Sequence, residues 1–317
     1  MTSRKKRKVP VRQHPRRTPS GGKTIVSKHT RRLNSPAASP RASKEQRYAR
    51  VDVDTTLLNQ LFLGMKGWVD EAELHYDTDG VHVQFMDPSR IMIADITITG
   101  EGYKPPKSPI RVGVNVEDLS SLIQKTKSKK GTISLQIPDH ALPSSMLSIP
   151  VETYASYIEI IREGGATQNI ATLDLDVELI PMENLNNIEY DSKVSITPAE
   201  FEQIIYESTP ISEIAAFSVK DNQLSIRAEG GIGSMEMKMP GAAIKGDSVG
   251  STHSLTFLKP IVDLTKKDIE NITLSLKRDH PLKIEFSNDQ FQAKIYLAPR
   301  VEERDYDEDY DDDMDEF

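Results

Sequence analysis

Ile295-Tyr-Leu-Ala-Pro-Arg-Val-Glu-Glu303 closes a long succession of short apolar alternations and turns abruptly into almost pure acid. Upstream of it stand two other distinctive stretches. One is Asp79-Gly-Val-His-Val-Gln-Phe-Met-Asp-Pro-Ser-Arg-Ile91, continuing to Gly100-Glu-Gly102; the other is Leu173-Asp-Leu-Asp-Val-Glu178. The three lie in this order across about 225 residues of a 317-residue chain.

Around these stretches the apolar period changes repeatedly. Leu57, Leu58, Leu61, Phe62 and Met65 recur at helical spacing, with Asp54 placed to cap the helix. Ala72–Tyr76, Val81–Phe85 and Ile91–Ile98 alternate as strands, the first two joined through a turn at Asp79-Gly80. Val116, Leu119, Leu122 and Ile123 mark a second helix, and Gly131–Ile137 a further strand.

The pattern then repeats. Leu58, Leu61, Phe62, Val81 and Val83 correspond to Phe201, Ile204, Ile205, Leu224 and Ile226, each 143 residues later. Leu119, Leu122, Ile123, Thr126 and Ile133 correspond to Leu258, Ile261, Val262, Thr265 and Ile272, each 139 later. A difference of four is what a change in loop length produces, and the repeat is too long for a solenoid unit. The reading is a duplicated α+β domain, over 48–173 and 193–303, with a polar, turn-rich connector over 174–192.

Charge divides into three blocks. Residues 1–47 hold fifteen Lys/Arg against one acid, Glu45; residues 302–317 hold eleven acids against one base, Arg304; the middle has a net charge of −12. Both ends, 1–47 and 304–317, are too charged and too poor in apolar residues to build a core, so disorder is expected there. Lys5-Lys-Arg-Lys-Val9 resembles a nuclear-import signal, with a nonspecific polyanion-binding tail as the alternative, so an intracellular place is expected, in a nucleus if the signal is read as such. The chain has no cysteine, so disulfides, thiolate metal sites and a cysteine nucleophile are excluded.

No catalytic constellation stands out. The seven histidines are scattered, and His82, between Val81 and Val83, reads as a polar strand position. Gly22-Lys23-Thr24 has Arg17 where a phosphate loop needs glycine, and no strand precedes it. The residues call for no reaction, no cofactor and no metal.

The three stretches quoted above resemble segments of the sliding-clamp family of proliferating cell nuclear antigen (PCNA): its early strand pair, the start of its interdomain connector and its last strand. The resemblance implies a DNA-clamp fold, with two duplicated βαβ-rich domains per subunit and three subunits closing a six-domain ring whose helices line a hole around double-stranded DNA. Phosphate contacts that read no bases suit such a ring. The matching bases are Lys66 on the first helix, Lys125, Lys127, Lys129 and Lys130 at the end of the second, and Lys259, Lys266 and Lys267 on the fourth. The third helix, Thr197–Ser208, carries Glu202 and Glu207 and no base, which departs from the family.

The resemblance also implies a pocket for the short peptide called the PIP box, formed by Met86, Ile91, Leu179, Ile180, Pro181, Pro281, Tyr296, Ala298 and Pro299. It implies subunit contacts through edge strands, Thr167, Asn169 and Ala171 on one side and Ser234, Glu236 and Lys238 on the other. The implied partners are the replicative DNA polymerase, the replication factor C clamp loader, flap endonuclease, DNA ligase and further copies of the chain itself. The implied role is a non-enzymatic processivity factor. Two other readings stand beside it: a divergent clamp subunit of a heterotrimeric repair ring, and a monomeric DNA binder that uses only its basic arm.

Overall fold

The structure is a computed structural model; it describes residues 48–124, 131–138, 153–163, 166–175, 180–240 and 242–300. The basic arm, the acidic tail, Leu179 and Lys125, Lys127, Lys129 and Lys130 lie outside these residues.

The first half runs β1 (Tyr48–Asp54), α1 (Thr55–Met65), β2 (Glu71–Tyr76), β3 (Val81–Met86), β4 (Met92–Ile98), β5 (Glu101–Lys104), β6 (Ile110–Asn115), α2 (Val116–Gln124), β7 (Thr132–Pro138), β8 (Thr153–Tyr154), β9 (Tyr157–Arg162) and β10 (Thr167–Ala171). A short helix, α3 (Glu183–Asn186), follows. The order then recurs, without a counterpart of β8, as β11 (Ser192–Ile196), α4 (Pro198–Ser208), β12 (Ile214–Lys220), β13 (Gln223–Gly230), β14 (Gly233–Met239), β15 (Ala243–Gly246), β16 (Val249–Ser254), α5 (Leu255–Leu264), β17 (Ile272–Leu276), β18 (Leu282–Ser287) and β19 (Phe291–Leu297).

The local chemistry explains these elements. Asp54 Oδ1 accepts from the N–H groups of Thr56 and Leu57 at 2.9 and 3.1 Å, satisfying donors that the first turn of α1 leaves free. At α4, Thr197 Oγ1 accepts from Glu200 N while Glu200 accepts from Thr197 N, a reciprocal cap that sets where the helix starts. The repeated positions occupy equivalent places: Leu58, Leu61 and Phe62 are buried on α1, as are Phe201, Ile204 and Ile205 on α4. Period-two burial holds in the strands, with Val81, Val83 and Phe85 of β3 inward and His82, Gln84 and Met86 outward.

The strands form three sheets, ordered β10-β9-β7-β1-β5, β14-β13-β12-β16 and β15-β11-β17-β18-β19-β4-β3-β2-β6-β8. The ten-stranded sheet joins the two halves, because β19 pairs antiparallel with β4 from Phe291↔Ile98 to Leu297↔Met92. The helices form a layer in the order α2-α1-α5-α4, so α1 and α5 meet at the junction. There Gly64 admits close approach: a methyl on it would lie 2.7 Å from Leu264 Cγ and 3.0 Å from the Pro260 carbonyl oxygen. Across the same junction Trp68 Nε1 donates to Phe257 O at 3.0 Å, and Asp54 N donates to Gln290 Oε1 at 2.9 Å.

Four local expectations change. Helix α5 ends at Leu264 with Thr265 as its cap, so Lys266 and Lys267 stand beyond it and not on it. Lys66 is the capping residue of α1 and follows its last turn. The first edge strand stops at Ala171, and Leu173 turns inward to bridge Gly113 of β6. A side chain at Gly113 would put its first carbon 2.3 Å from the Leu173 carbonyl oxygen, so glycine is what lets the connector settle onto the sheet. The connector also contains helix α3, where turns alone were expected.

Candidate nucleic-acid and partner interfaces

The helix layer carries fewer free bases than its lysines suggest. Lys66 Nζ lies 2.7 Å from Glu117 of α2, and Lys266 Nζ lies 2.5 Å from Asp263. Lys267 reaches back to the capping carboxylate of α1, 2.6 Å from Asp54 Oδ1. Burial works to raise the Asp54 carboxyl, but Lys267 and the Leu57 and Thr56 N–H groups outweigh it and hold the group below its usual range. Lys259 is exposed on α5 and has no ionic partner among the described residues. On α4 the outward residues are Glu202, Gln203, Tyr206 and Glu207, with Tyr206 at 80% exposure. The acids of α4 therefore face solvent and no base accompanies them.

The described residues expected at a partner site lie on or beside one face of the ten-stranded sheet. Registers across β3, β4, β19 and β18 align Met86, Ile93, Tyr296 and Lys283 on a single rung. The next rung, Gln84, Asp95, Lys294 and Glu285, is polar. An apolar platform thus occupies one end of an otherwise polar face. Ile93 was not singled out from sequence. Its signal was an apolar residue at an outward position of a strand whose other outward residues are Asp95 and Thr97.

The β3–β4 turn builds the rim of this platform. The buried Asp87 carboxylate accepts from Ile91 N and Met92 N at 2.7 and 2.6 Å and from Ser89 N at 2.8 Å. Three N–H donors on one carboxylate fix the turn, with Arg90 at φ 59°, and leave Ile91 37% exposed. Ala298 N donates to Ile91 O at 2.9 Å, joining the end of β19 to this rim, and the half-buried Pro281 immediately precedes β18. The connector crosses β3 one rung from the platform, where Ile180 N donates to Gln84 Oε1 at 2.7 Å, and the neighbouring Pro181 is exposed.

Tyr296 differs from the open pocket wall expected of it. Its ring stands on the same face as Lys294 and Gln292, yet it is only 2% exposed, and the connector reaches it at Asn186. Its hydroxyl donates to Asn186 Oδ1 of α3 at 3.0 Å. Burial, with Glu285 and Asp95 nearby, pushes this phenol up to about 12, so it remains a donor. Beneath the end of β19, the fully buried His253 contacts Ala298 O through Nδ1 at 3.2 Å and Ser251 Oγ through Nε2 at 2.9 Å. Desolvation lowers its pKa to about 4, against the opposing effect of the Ala298 carbonyl.

The edge strands stand at the ends of two sheets. Thr167, Asn169 and Ala171 lie on β10, the outer strand of the five-stranded sheet, and Ser234, Glu236 and Lys238 on β14, the outer strand of the four-stranded one. Ile170 and Met237 beside them are partly buried against the core, so each edge leaves apolar surface incompletely covered.

Comparison with known proteins follows the same division of the chain. Residues 49–147 match the family model for the PCNA N-terminal domain, and residues 184–301 that for the C-terminal domain. A DNA polymerase sliding clamp of Nitrosopumilus maritimus is 27% identical over 244 residues, covering 74% of this chain and 90% of that protein. One from Thermococcus gammatolerans is 24% identical over 245 residues, covering 74% and 91%. Among solved structures, PCNA from Entamoeba histolytica superposes with a TM-score of 0.69 at 18% identity, covering 80% of this chain and 98% of that one. A chain of the PCNA2–PCNA3 complex from Sulfolobus tokodaii gives 0.68 at 22%, covering 80% and 100%. These two likenesses bear on the fold. The two domain models fall on the two halves that β4 and β19 join, and with them the chain belongs to the proliferating cell nuclear antigen family.

Proposed function

We infer that this protein is a DNA sliding clamp, a non-enzymatic processivity factor whose subunits close around duplex DNA and hold DNA polymerase to it. One observation carries this reading: four helices lie in one layer, and β10 and β14 each form one edge of a flanking sheet, with no strand beyond them among the described residues. Pairing β10 of one subunit with β14 of the next removes both free edges and continues the helix layer into the neighbour. Three such joints close a ring with the helices inward. The half-covered Ile170 and Met237 support contact at these edges.

Duplex DNA would pass through the hole with phosphate contacts at Lys259 and the lysines after α2. The platform of Met86, Ile93 and Tyr296, rimmed by Ile91, Pro281 and Ala298, would take the anchor residues of a PIP-box peptide from a polymerase, flap endonuclease or ligase. Replication factor C would open and load the ring. Sedimentation of the full chain tests ring closure. The expected species has three times the 35.5 kDa chain mass, and Met237→Asp with Ile170→Asp should reduce it to monomer. An unchanged mass in that variant would remove the edge assignment.

One observation favours a second reading, a ring of unlike subunits: the solvent face of α4 is acidic and aromatic. A neighbour with basic helices would offset that face; a ring that forms only with an added second clamp subunit would point to it, whereas a lone monomer would favour the basic-arm DNA binder.

A further inference from the structure

We propose that Asn186 and Tyr296 form a latch that closes the connector over the partner site, so that a docking peptide competes with the chain's own connector. The inference rests on the reading of the platform as a peptide site. On β19 the outward residues are Gln292, Lys294 and Tyr296; the first is exposed, the second half-buried, and only Tyr296 is covered. The connector reaches it there: Asn186 lies 3.0 Å from its hydroxyl, and Tyr190 is close enough for the two phenols to interact electrostatically.

Two polar ties hold the connector there. Gln84 accepts from Ile180 N where the chain crosses β3, and Asn186, at the end of α3, accepts from the Tyr296 hydroxyl. The second tie joins residues 110 apart in sequence and sits at the water's edge, because Asn186 is itself exposed. A bond of this kind exchanges readily with solvent, which suits a contact that opens.

A third group favours release. Four residues beyond Asn186, the Tyr190 hydroxyl is buried with no hydrogen-bond partner among the described residues. An orphaned hydroxyl is destabilising, and opening the connector would give it water. The closed connector thus gains these two hydrogen bonds and leaves a third polar group unmatched, a modest net preference that a peptide can overcome. The peptide's apparent affinity is its intrinsic affinity reduced by the fraction of open connector.

Tyr296→Phe keeps the ring and removes the donor; Asn186→Ala removes the acceptor. Each is expected to tighten binding of a fluorescein-labelled PIP-box peptide by up to about fivefold, the ceiling set by the worth of one net hydrogen bond. The double variant should gain no more than either single one, because both break the same bond. Without peptide, amide exchange over residues 183–190 should quicken in both single variants. Unchanged or weaker peptide binding, or additive effects, with unchanged exchange would overturn the latch. If no form of the protein binds the peptide, the peptide-site reading fails and exchange alone decides: faster exchange keeps the latch, and equal exchange removes it.

Discussion

Acid should loosen this protein through His253 before its carboxylates are protonated. The ring is fully buried, edge-on to Phe217 at a centroid separation of 6.2 Å, and its Nδ1–H donates to the Ala298 carbonyl. Its pKa is about 4 when folded, against about 6.5 for an unperturbed histidine. The folded state therefore resists a proton that the unfolded chain accepts. Stability is complete above pH 6.5, falls as the pH drops from 6.5 towards 4, and is insensitive to this group below that. Integrating between the two values gives a loss of about 2 kcal/mol at pH 5 and about 3 kcal/mol at pH 4. His253→Gln retains a donor for Ala298 O and cannot titrate. Urea unfolding of both proteins at pH 7.5 and pH 5 isolates the effect, since all other groups are shared. The variant should lose about 2 kcal/mol less than the natural chain between these two values. Equal losses would refute the reasoning, and would mean that the ring takes its proton without leaving the fold.

Gly64→Ala should destabilise by about 1–3 kcal/mol in thermal unfolding, despite alanine's helical preference, because its methyl meets Leu264 and the Pro260 carbonyl at the junction. Ile93→Asp should cost a PIP-box peptide about 2 kcal/mol or more in calorimetry, with sedimentation unchanged, since it puts a charge in the apolar rung. Lys259→Glu should shorten retention on loaded circular DNA more than Lys66→Glu does, because Lys66 already faces Glu117. Equal effects would mean that this ion pair opens on DNA.

The duplication was legible because equivalent positions face the same core: Leu58 and Phe201, or Leu119 and Leu258, recur at fixed separations and are all buried. Met86, Ile91 and Ala298 could be named from sequence because they lie in the stretches that resemble the family, and the structure brings them to one end of the ten-stranded sheet. What escaped were relations between distant segments. Nothing local in Ile93 or Tyr296 says that β4 will pair with β19, and that pairing alone puts both on one rung. Spacing put Lys266 on a helix face with Lys259; the helix instead stops at Leu264, and Lys267 turns to Asp54 across the junction. Helix α3 escaped because a four-residue stretch with the single apolar residue Leu185 has no apolar period to read, and its tie to the sheet is a contact 110 residues away.

The central claim is a topological link between protein and DNA, and release on linearisation tests it most directly. The full chain would be loaded onto a nicked circular plasmid with replication factor C and ATP, separated from free protein by gel filtration, and the plasmid then cut once. The account predicts that the protein travels with the circle at moderate salt, whatever the plasmid's sequence, and leaves once an end is available. Protein that stays with cut DNA as firmly as with the circle would contradict an encircling ring and point to binding from outside.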